Sequence, residues 1–150
     1  MKHRQRGVEL VEFALVLPIL LLLTFITTEY SRALFQYNTL SKSVRDAARF
    51  LSTLDPGSKT TEAKNLVVYG SIANTGSPLA FGLTTAQVKT PTWQLRGAGP
   101  VINTVTVTIA GCATSAPPCY KFVPLFSSAF GVNFGDVNYA DISATMRAPL

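Results

Sequence analysis

The chain begins with a short basic leader that runs into an uncharged apolar segment. Residues 13–28, with the sequence FALVLPILLLLTFITT, carry no charged side chain. As a helix this segment would rise about 24 Å, slightly less than the ~30 Å hydrocarbon core of a bilayer. Including the residues from Val8 makes the span sufficient if the carboxylate of Glu12 is neutralised. The segment therefore predicts a membrane-spanning helix over residues 8–28.

Glu12 lies at the edge of this apolar segment, where a charge is costly. A carboxylate there costs a few kcal/mol unless it is paired or extends out to the headgroups. An ordinary membrane anchor has no use for such a group. We therefore expect Glu12 to have a cationic partner.

The positive charge of the chain is concentrated in the leader, residues 1–7. The formal net charge is +5, and Lys2, Arg4 and Arg6 supply three of those charges. The positive-inside bias places the N-terminus in the cytoplasm and the remainder across the inner membrane in a single pass. Since aromatic residues do not alternate with basic clusters in the remainder, we expect no binding of nucleic acid.

A cleaved secretory signal peptide is the alternative for this N-terminus. Such a peptide has a shorter apolar core, followed by an Ala-x-Ala-like site. Residues 27–31, with the sequence TTEYS, offer no such site. An uncleaved anchor, or a helix processed at its leader, is therefore favoured.

The apolar pattern continues beyond the membrane-spanning segment as a stripe with a 3.5-residue period, which predicts an amphipathic extension over residues 29–54. The stripe consists of Leu23, Ile26, Tyr30, Ala33, Tyr37, Leu40, Val44, Ala47, Leu51 and Leu54. Breaker residues at 55–57, with the sequence DPG, end the helix. The stripe packs on its own domain, packs also against other copies, or does both; one stripe does not distinguish these.

Residues 55–150 predict a small extracytoplasmic α+β domain. A second helix is expected from Ser58, followed by a loop over residues 71–86. The predicted strands are Val88–Arg96, marked as an edge strand by Pro91, then Val101–Ala110 and Asp141–Arg147. Valine and threonine alternate along Val101–Ala110, as in a strand with one buried face. The fold class is thus α+β, a long N-terminal helix on a small antiparallel sheet.

The segment that precedes the last strand carries two further expectations. Pro124 is expected to open a short helix that continues to Phe130 and stops at Gly131. A phenylalanine recurs every fourth residue in this part of the chain, which predicts core packing. These phenylalanines are Phe122, Phe126, Phe130 and Phe134.

Cys112 and Cys119 lie in the part of the chain predicted to be outside the cytoplasm, where disulfides persist. A bridge between them is favoured, and two free thiols are the alternative. The bridge would be structural, because its spacing is not that of a redox C-x-x-C motif. It would staple a hairpin that leads into residues 120–123.

The sequence lacks the residue sets that catalysis and metal binding need. The only histidine is His3, in the leader, so the exported part has no Ser/His/Asp or Cys/His arrangement. We expect no enzyme activity, no cofactor and no zinc site. Calcium binding is the minor interpretation of an oxygen-rich patch, whose residues are more often turn formers. This patch consists of Asn133, Asp136, Asn138 and Asp141.

The N-terminal motif carries a family resemblance. Gly7, four residues, Glu12 and Phe13, followed by ALVLP, resemble the processing motif of the TadE-like pseudopilins of tight-adherence (Flp-type) pili. Residues 47–50, with the sequence AARF, also resemble the end of the helix in that family. The remainder fits the family only in outline, as a short strand-rich domain with a cysteine pair.

The resemblance implies a minor pilin, a non-enzymatic structural subunit of a surface pilus used in adhesion. A prepilin peptidase would cut between Gly7 and Val8, with Phe13 as part of its recognition motif. Glu12 would then pair with an α-ammonium in the membrane-embedded array of subunits. The implied partners are the membrane, the peptidase, other pilin subunits and the assembly platform. Glu9 departs from better-known pilin N-termini, which are apolar right after the cut.

Two alternatives to the pilin remain open. One is an unprocessed, membrane-anchored periplasmic scaffold. The other is an exported domain that binds a small ligand or a surface, for which the lack of a catalytic residue set is no obstacle.

Overall fold

The computed structural model describes residues 5–125, 128–129, 132–133 and 135–149. Its contacts divide the chain into two compact units, one of Met1–Leu34 with Val123–Val137 and one of Phe35–Phe122 with Asn138–Leu150. The helices are α1 (Gln5–Leu51), α2 (Thr60–Tyr69) and a 3-10 turn (Thr85–Gln87). The strands are β1 (Thr92–Arg96), β2 (Ile102–Ile109), β3 (Lys121–Phe122), β4 (Ser128–Ala129), β5 (Val132–Asn133), β6 (Val137–Asn138) and β7 (Ile142–Ala148).

The first unit contains the apolar part of α1. The helix runs without interruption through Pro18 and is long and apolar enough to cross a membrane. Its threonine and serine hydroxyls bond back to the helix: Thr24 donates to the carbonyl of Leu20 at 2.8 Å and Thr28 to that of Thr24 at 2.8 Å. Ser31 likewise donates to the carbonyl of Thr27, at 2.8 Å. The hydroxyls of Thr24, Thr28 and Ser31 therefore have their acceptors within the helix itself.

The first unit also contains a short hairpin. Ser128 pairs with Asn133 and Ala129 with Val132, antiparallel. The predicted helix from Pro124 to Phe130 is therefore wrong, because Ser128 and Ala129 are strand residues. Phe126, Phe130 and Phe134 lie outside the described residues.

The second unit has one hydrophobic core, built on the last turns of α1. Leu40, Val44, Ala47 and Leu51 are fully buried in it. Against them lie Ala63, Val67 and Val68 of α2, and Val105, Val107 and Ile109 of β2. The predicted packing of the stripe on its own domain is confirmed for this part of the helix.

The sheet of the second unit is antiparallel, with the strand order β1-β2-β7. The alternation along β2 is as predicted, with Val105, Val107 and Ile109 buried and the threonines between them half-buried. β1 lies at an edge, as Pro91 predicted, and begins only at Thr92. Val88 forms an isolated bridge to Ile109 instead of joining the strand.

Both helices end shortly before residues that break helices. α1 ends at Leu51, before the predicted Leu54, and Gly57 adopts a positive φ of 83° in the turn that follows. α2 begins at Thr60 rather than Ser58. Gly70 ends it with a φ of 68°, and its N–H donates to the carbonyl of Leu66 at 3.0 Å.

The connection after β2 is a loop closed by the Cys112–Cys119 disulfide. The predicted bridge is confirmed, but the predicted hairpin is wrong. Tyr120 runs parallel to Gly111, with its N–H donating to the carbonyl of Ala110 at 2.7 Å.

Candidate processing and assembly site

The predicted processing residues lie near the start of α1. Val8 is 68% exposed and Phe13 is 59% exposed, and Glu12 is exposed as well. Val8 and Glu12 are four residues apart, so they share one face of the helix. Within the described part of the chain, Glu12 forms no ion pair. No described side chain therefore serves as the cationic partner of Glu12.

Gly7 is not required by packing within the chain. A methyl group built at Gly7 would meet no atom within 4 Å. Glycine in a helix costs about 1 kcal/mol relative to alanine, because it loses more backbone freedom on ordering. The glycine therefore weakens the first turns of α1 without a compensating contact in the described structure.

An ion pair with a buried carboxylate and a half-buried guanidinium follows the apolar segment, and sequence reasoning missed it. Arg32 Nη1 donates to Glu29 Oε2 at 2.7 Å. Glu29 is only 7% exposed, and its other oxygen, Oε1, has no hydrogen-bond partner among the described residues. The signal in the sequence was the pair of opposite charges three residues apart directly after an apolar run.

Asp141 organises a second polar cluster that the sequence did not predict. Its Oδ1 accepts hydrogen bonds from the Gly111 N–H at 3.0 Å, the Thr114 hydroxyl at 2.7 Å and the Ser115 hydroxyl at 2.8 Å. Lys89 forms an ion pair with Oδ2. The Lys89 ammonium foremost, and then these three donors, hold the pKa of Asp141 well below its ordinary value.

Among the described residues, no group of three or more His, Cys, Asp or Glu side chains is placed to hold a metal ion. The Asp141 carboxylate is occupied by donors from the chain itself. The side chain of Asn133 lies outside the described residues. The calcium interpretation therefore has no support from the described side chains.

An aromatic cluster anchors the chain just beyond the disulfide. Tyr120 is 1% exposed, and its hydroxyl donates to Gln36 Oε1 at 2.9 Å. Its ring stacks on that of Tyr139, with centroids 5.9 Å apart, and Tyr139 lies 5.8 Å from the ring of Tyr37. Burial, with a smaller contribution from Tyr139, raises the pKa of Tyr120 to about 12.

This raised pKa predicts a loss of stability in alkali. Between about pH 10 and about pH 12 the unfolded chain releases the Tyr120 proton while the folded chain keeps it, so unfolding becomes more favourable as the pH rises. Urea unfolding followed by the fluorescence of Trp93 should therefore show a steeper loss of stability from about pH 10 to about pH 12 than in Tyr120→Phe. An equal slope in the two proteins would contradict this assignment.

These elements define a class of protein: an exposed apolar N-terminal helix able to cross a membrane, continuous with a small α+β domain closed by one disulfide. The family model described as TadE-like protein matches residues 7–49. The match confirms the resemblance over that segment, which runs from Gly7 through the apolar helix into the amphipathic part of α1. No curated protein and no solved structure gives a significant match.

Proposed function

We propose that the chain is a minor pilin or pseudopilin, a structural subunit for assembly of a tight-adherence (Flp-type) pilus. The observation that carries this proposal is the TadE-like match, which begins at Gly7 and includes Glu12 and the apolar helix. In this proposal the chain is inserted once in the inner membrane with its N-terminus in the cytoplasm. The α+β domain then lies on the periplasmic or outer side, where its disulfide persists.

A prepilin peptidase cuts the Gly7–Val8 bond in this proposal. A protease needs extended backbone in its cleft, and the bond lies within the first turns of α1. Glycine lowers the cost of opening those turns and presents no side chain to the cleft. Cleavage by water removes the basic leader and leaves a new α-ammonium on Val8.

The new ammonium is the partner that Glu12 requires. Two opposite charges in apolar surroundings attract each other strongly, whereas either one alone is costly to bury. Val8 and Glu12 are both exposed on the same face of the helix, so each can reach a group on a neighbouring subunit. Glu12 then favours an array of subunits in which every carboxylate meets an ammonium, and the assembly platform extends that array.

The N-terminus of the mature protein tests the processing step. In cells that express the peptidase, mass spectrometry should find a chain beginning at Val8, and Gly7→Leu should remain uncut. The substitution leaves the chain itself unstrained, because the space at Gly7 is open. Ala14→Leu, another added leucine in α1, should be processed normally. An intact leader in the wild-type protein would overturn the pilin proposal and favour an unprocessed periplasmic scaffold.

Substitutions of Glu12 and Glu9 distinguish a defect in assembly from a defect in processing. Glu12→Ala should be cut at Val8 but should enter pili about a hundredfold less efficiently, because the ammonium is left unpaired. Glu9→Ala is the matched control and should assemble as the wild type does. Incorporation is measured by immunoblotting of sheared pili. Normal incorporation of Glu12→Ala would show that the charge pair is dispensable.

A further inference from the structure

The loop between the two cysteines is anchored by groups other than its sulfur atoms. The N–H of Cys112 donates to the carbonyl of Tyr120 at 3.2 Å, and the N–H of Tyr120 donates to the carbonyl of Ala110 at 2.7 Å. Gln87 Nε2 donates to the carbonyl of Cys119 at 3.2 Å. Both cysteines are thus held by hydrogen bonds that do not involve the sulfur atoms.

Asp141 fixes the other side of the same loop. Three donors from residues 111–115 converge on its Oδ1, and its own N–H donates to Thr114 Oγ1 at 2.9 Å. The turn itself closes with the Ser115 N–H donating to the carbonyl of Gly111 at 2.9 Å. Hydrogen bonds to a carboxylate are stronger than those between neutral groups. The loop therefore has one favoured position against the start of β7.

We propose that Asp141 is the positioning residue for oxidation of the Cys112–Cys119 pair. In the reduced protein it keeps the loop closed, so that the two thiols are neighbours before any oxidant arrives. Holding two reacting groups together raises the effective concentration of one relative to the other. Because this inference concerns the folding of the second unit, it does not depend on the proposed function in pilus assembly.

The reaction is an exchange with a small disulfide such as oxidised glutathione. One cysteine thiolate attacks a glutathione sulfur, which breaks the glutathione disulfide and releases one glutathione as its thiol. The second cysteine thiolate then attacks the mixed disulfide and releases the other glutathione. The two cysteines lose two protons and two electrons, and the two glutathione sulfurs gain them. Asp141 touches neither sulfur and acts only through the position of the loop.

The effective concentration of the thiol pair tests this role. The full chain in detergent is equilibrated with reduced and oxidised glutathione, free thiols are trapped by alkylation, and the oxidised fraction is measured by mass spectrometry. Asp141→Asn, which keeps an acceptor but loses the charge, should lower the effective concentration about tenfold. Asp141→Ala should lower it about a hundredfold. Asp55→Asn, at an exposed carboxylate in a turn, should stay within about twofold of wild type.

A loop-side variant keeps the test decisive if Asp141→Ala does not fold. Thr114→Val with Ser115→Ala removes two donors and leaves β7 unchanged, and it should lower the effective concentration about tenfold. Val44→Ala, which destabilises the core but removes none of the hydrogen bonds of the loop, separates positioning from general stability and should leave the value unchanged. The proposal would be overturned if the effective concentrations in Asp141→Asn and in the loop-side variant both stayed within about twofold of wild type. It would also be overturned if they fell only as far as the effective concentration in Val44→Ala.

Discussion

Replacing Arg32 with alanine should make local opening of α1 around Glu29 easier by about 3 kcal/mol. The Glu29 carboxylate is almost fully buried, and the 2.7 Å contact with Arg32 is the hydrogen bond that the structure gives its Oε2. Without the guanidinium, a buried charge would lose its counterion in a segment where the neighbouring Oε1 already lacks a partner. Breaking a buried pair from one side costs more than the pair contributes, because the remaining charge stays desolvated.

Hydrogen exchange of peptides that cover residues 24–37 measures this local opening. The exchange protection of these peptides should fall by roughly a hundredfold in Arg32→Ala. Arg45→Ala, at an exposed position of the same helix, should change it by less than about threefold. The double variant Glu29→Met with Arg32→Met should recover most of the protection, since it removes both charges together. Protection in Arg32→Ala equal to that in Arg45→Ala would show that the pair contributes little.

Gly111→Ala should destabilise the second unit by about 3 kcal/mol. A Cβ at this position would overlap the carbonyl oxygens of Tyr139 and Ala140. Both contacts are with backbone atoms, which no rotamer change can relieve. The loop would have to move away from residues 139–140, which weakens the hydrogen bond from the Gly111 N–H to Asp141 as well.

Urea unfolding in detergent, followed by the fluorescence of the single tryptophan, Trp93, measures this effect. Trp93 packs against the core of the second unit and therefore reports on its unfolding. Gly135→Ala is the matched control, because a Cβ there would meet no atom within 4 Å. We expect that variant to unfold within about 0.5 kcal/mol of wild type. A stable Gly111→Ala would mean that residues 139–140 can move aside at little cost.

Local patterns predicted much of the fold. The alternation along β2 gave the buried face of the central strand, and Pro91 correctly placed β1 at an edge. The uncharged segment before Thr28 and the breakers after Leu54 defined one long helix to within three residues at either end. Each of these signals depends on neighbouring residues only, so sequence alone can show it.

The prediction failed in the segment after Pro124, where a local signal fits more than one structure. Pro124 favoured a short helix that would continue to Phe130, because proline is tolerated in the first turn of a helix. Ser128 and Ala129 instead pair with residues 132–133 as a hairpin. The pairing of two strands depends on how the chain folds back on itself, which a single proline does not encode.

The Asp141 cluster shows why a site can be invisible in a sequence. Its members come from residues 89, 111, 114, 115 and 141, which the pairing of β2 with β7 and the bridge between Val88 and Ile109 bring together. In sequence, Asp141 stands among asparagines and another aspartate, which suggested turns or calcium. The processing segment is the opposite case, since its residues are consecutive and its motif is complete without tertiary structure.

The hydroxyls in the apolar part of α1 have a consequence for where this helix can reside. Thr24, Thr27, Thr28 and Ser31 all donate to carbonyl oxygens of the preceding turn. Because these acceptors belong to the same helix, the hydrogen bonds remain in place when the surroundings of the helix change. Moving it from one apolar medium into another, whether lipid tails or the side chains of packed helices, requires no exchange of hydrogen-bond partners at these four positions. These four hydroxyls therefore favour neither lipid tails nor packed helices as surroundings. Any preference of the helix between the two depends on its charged residues.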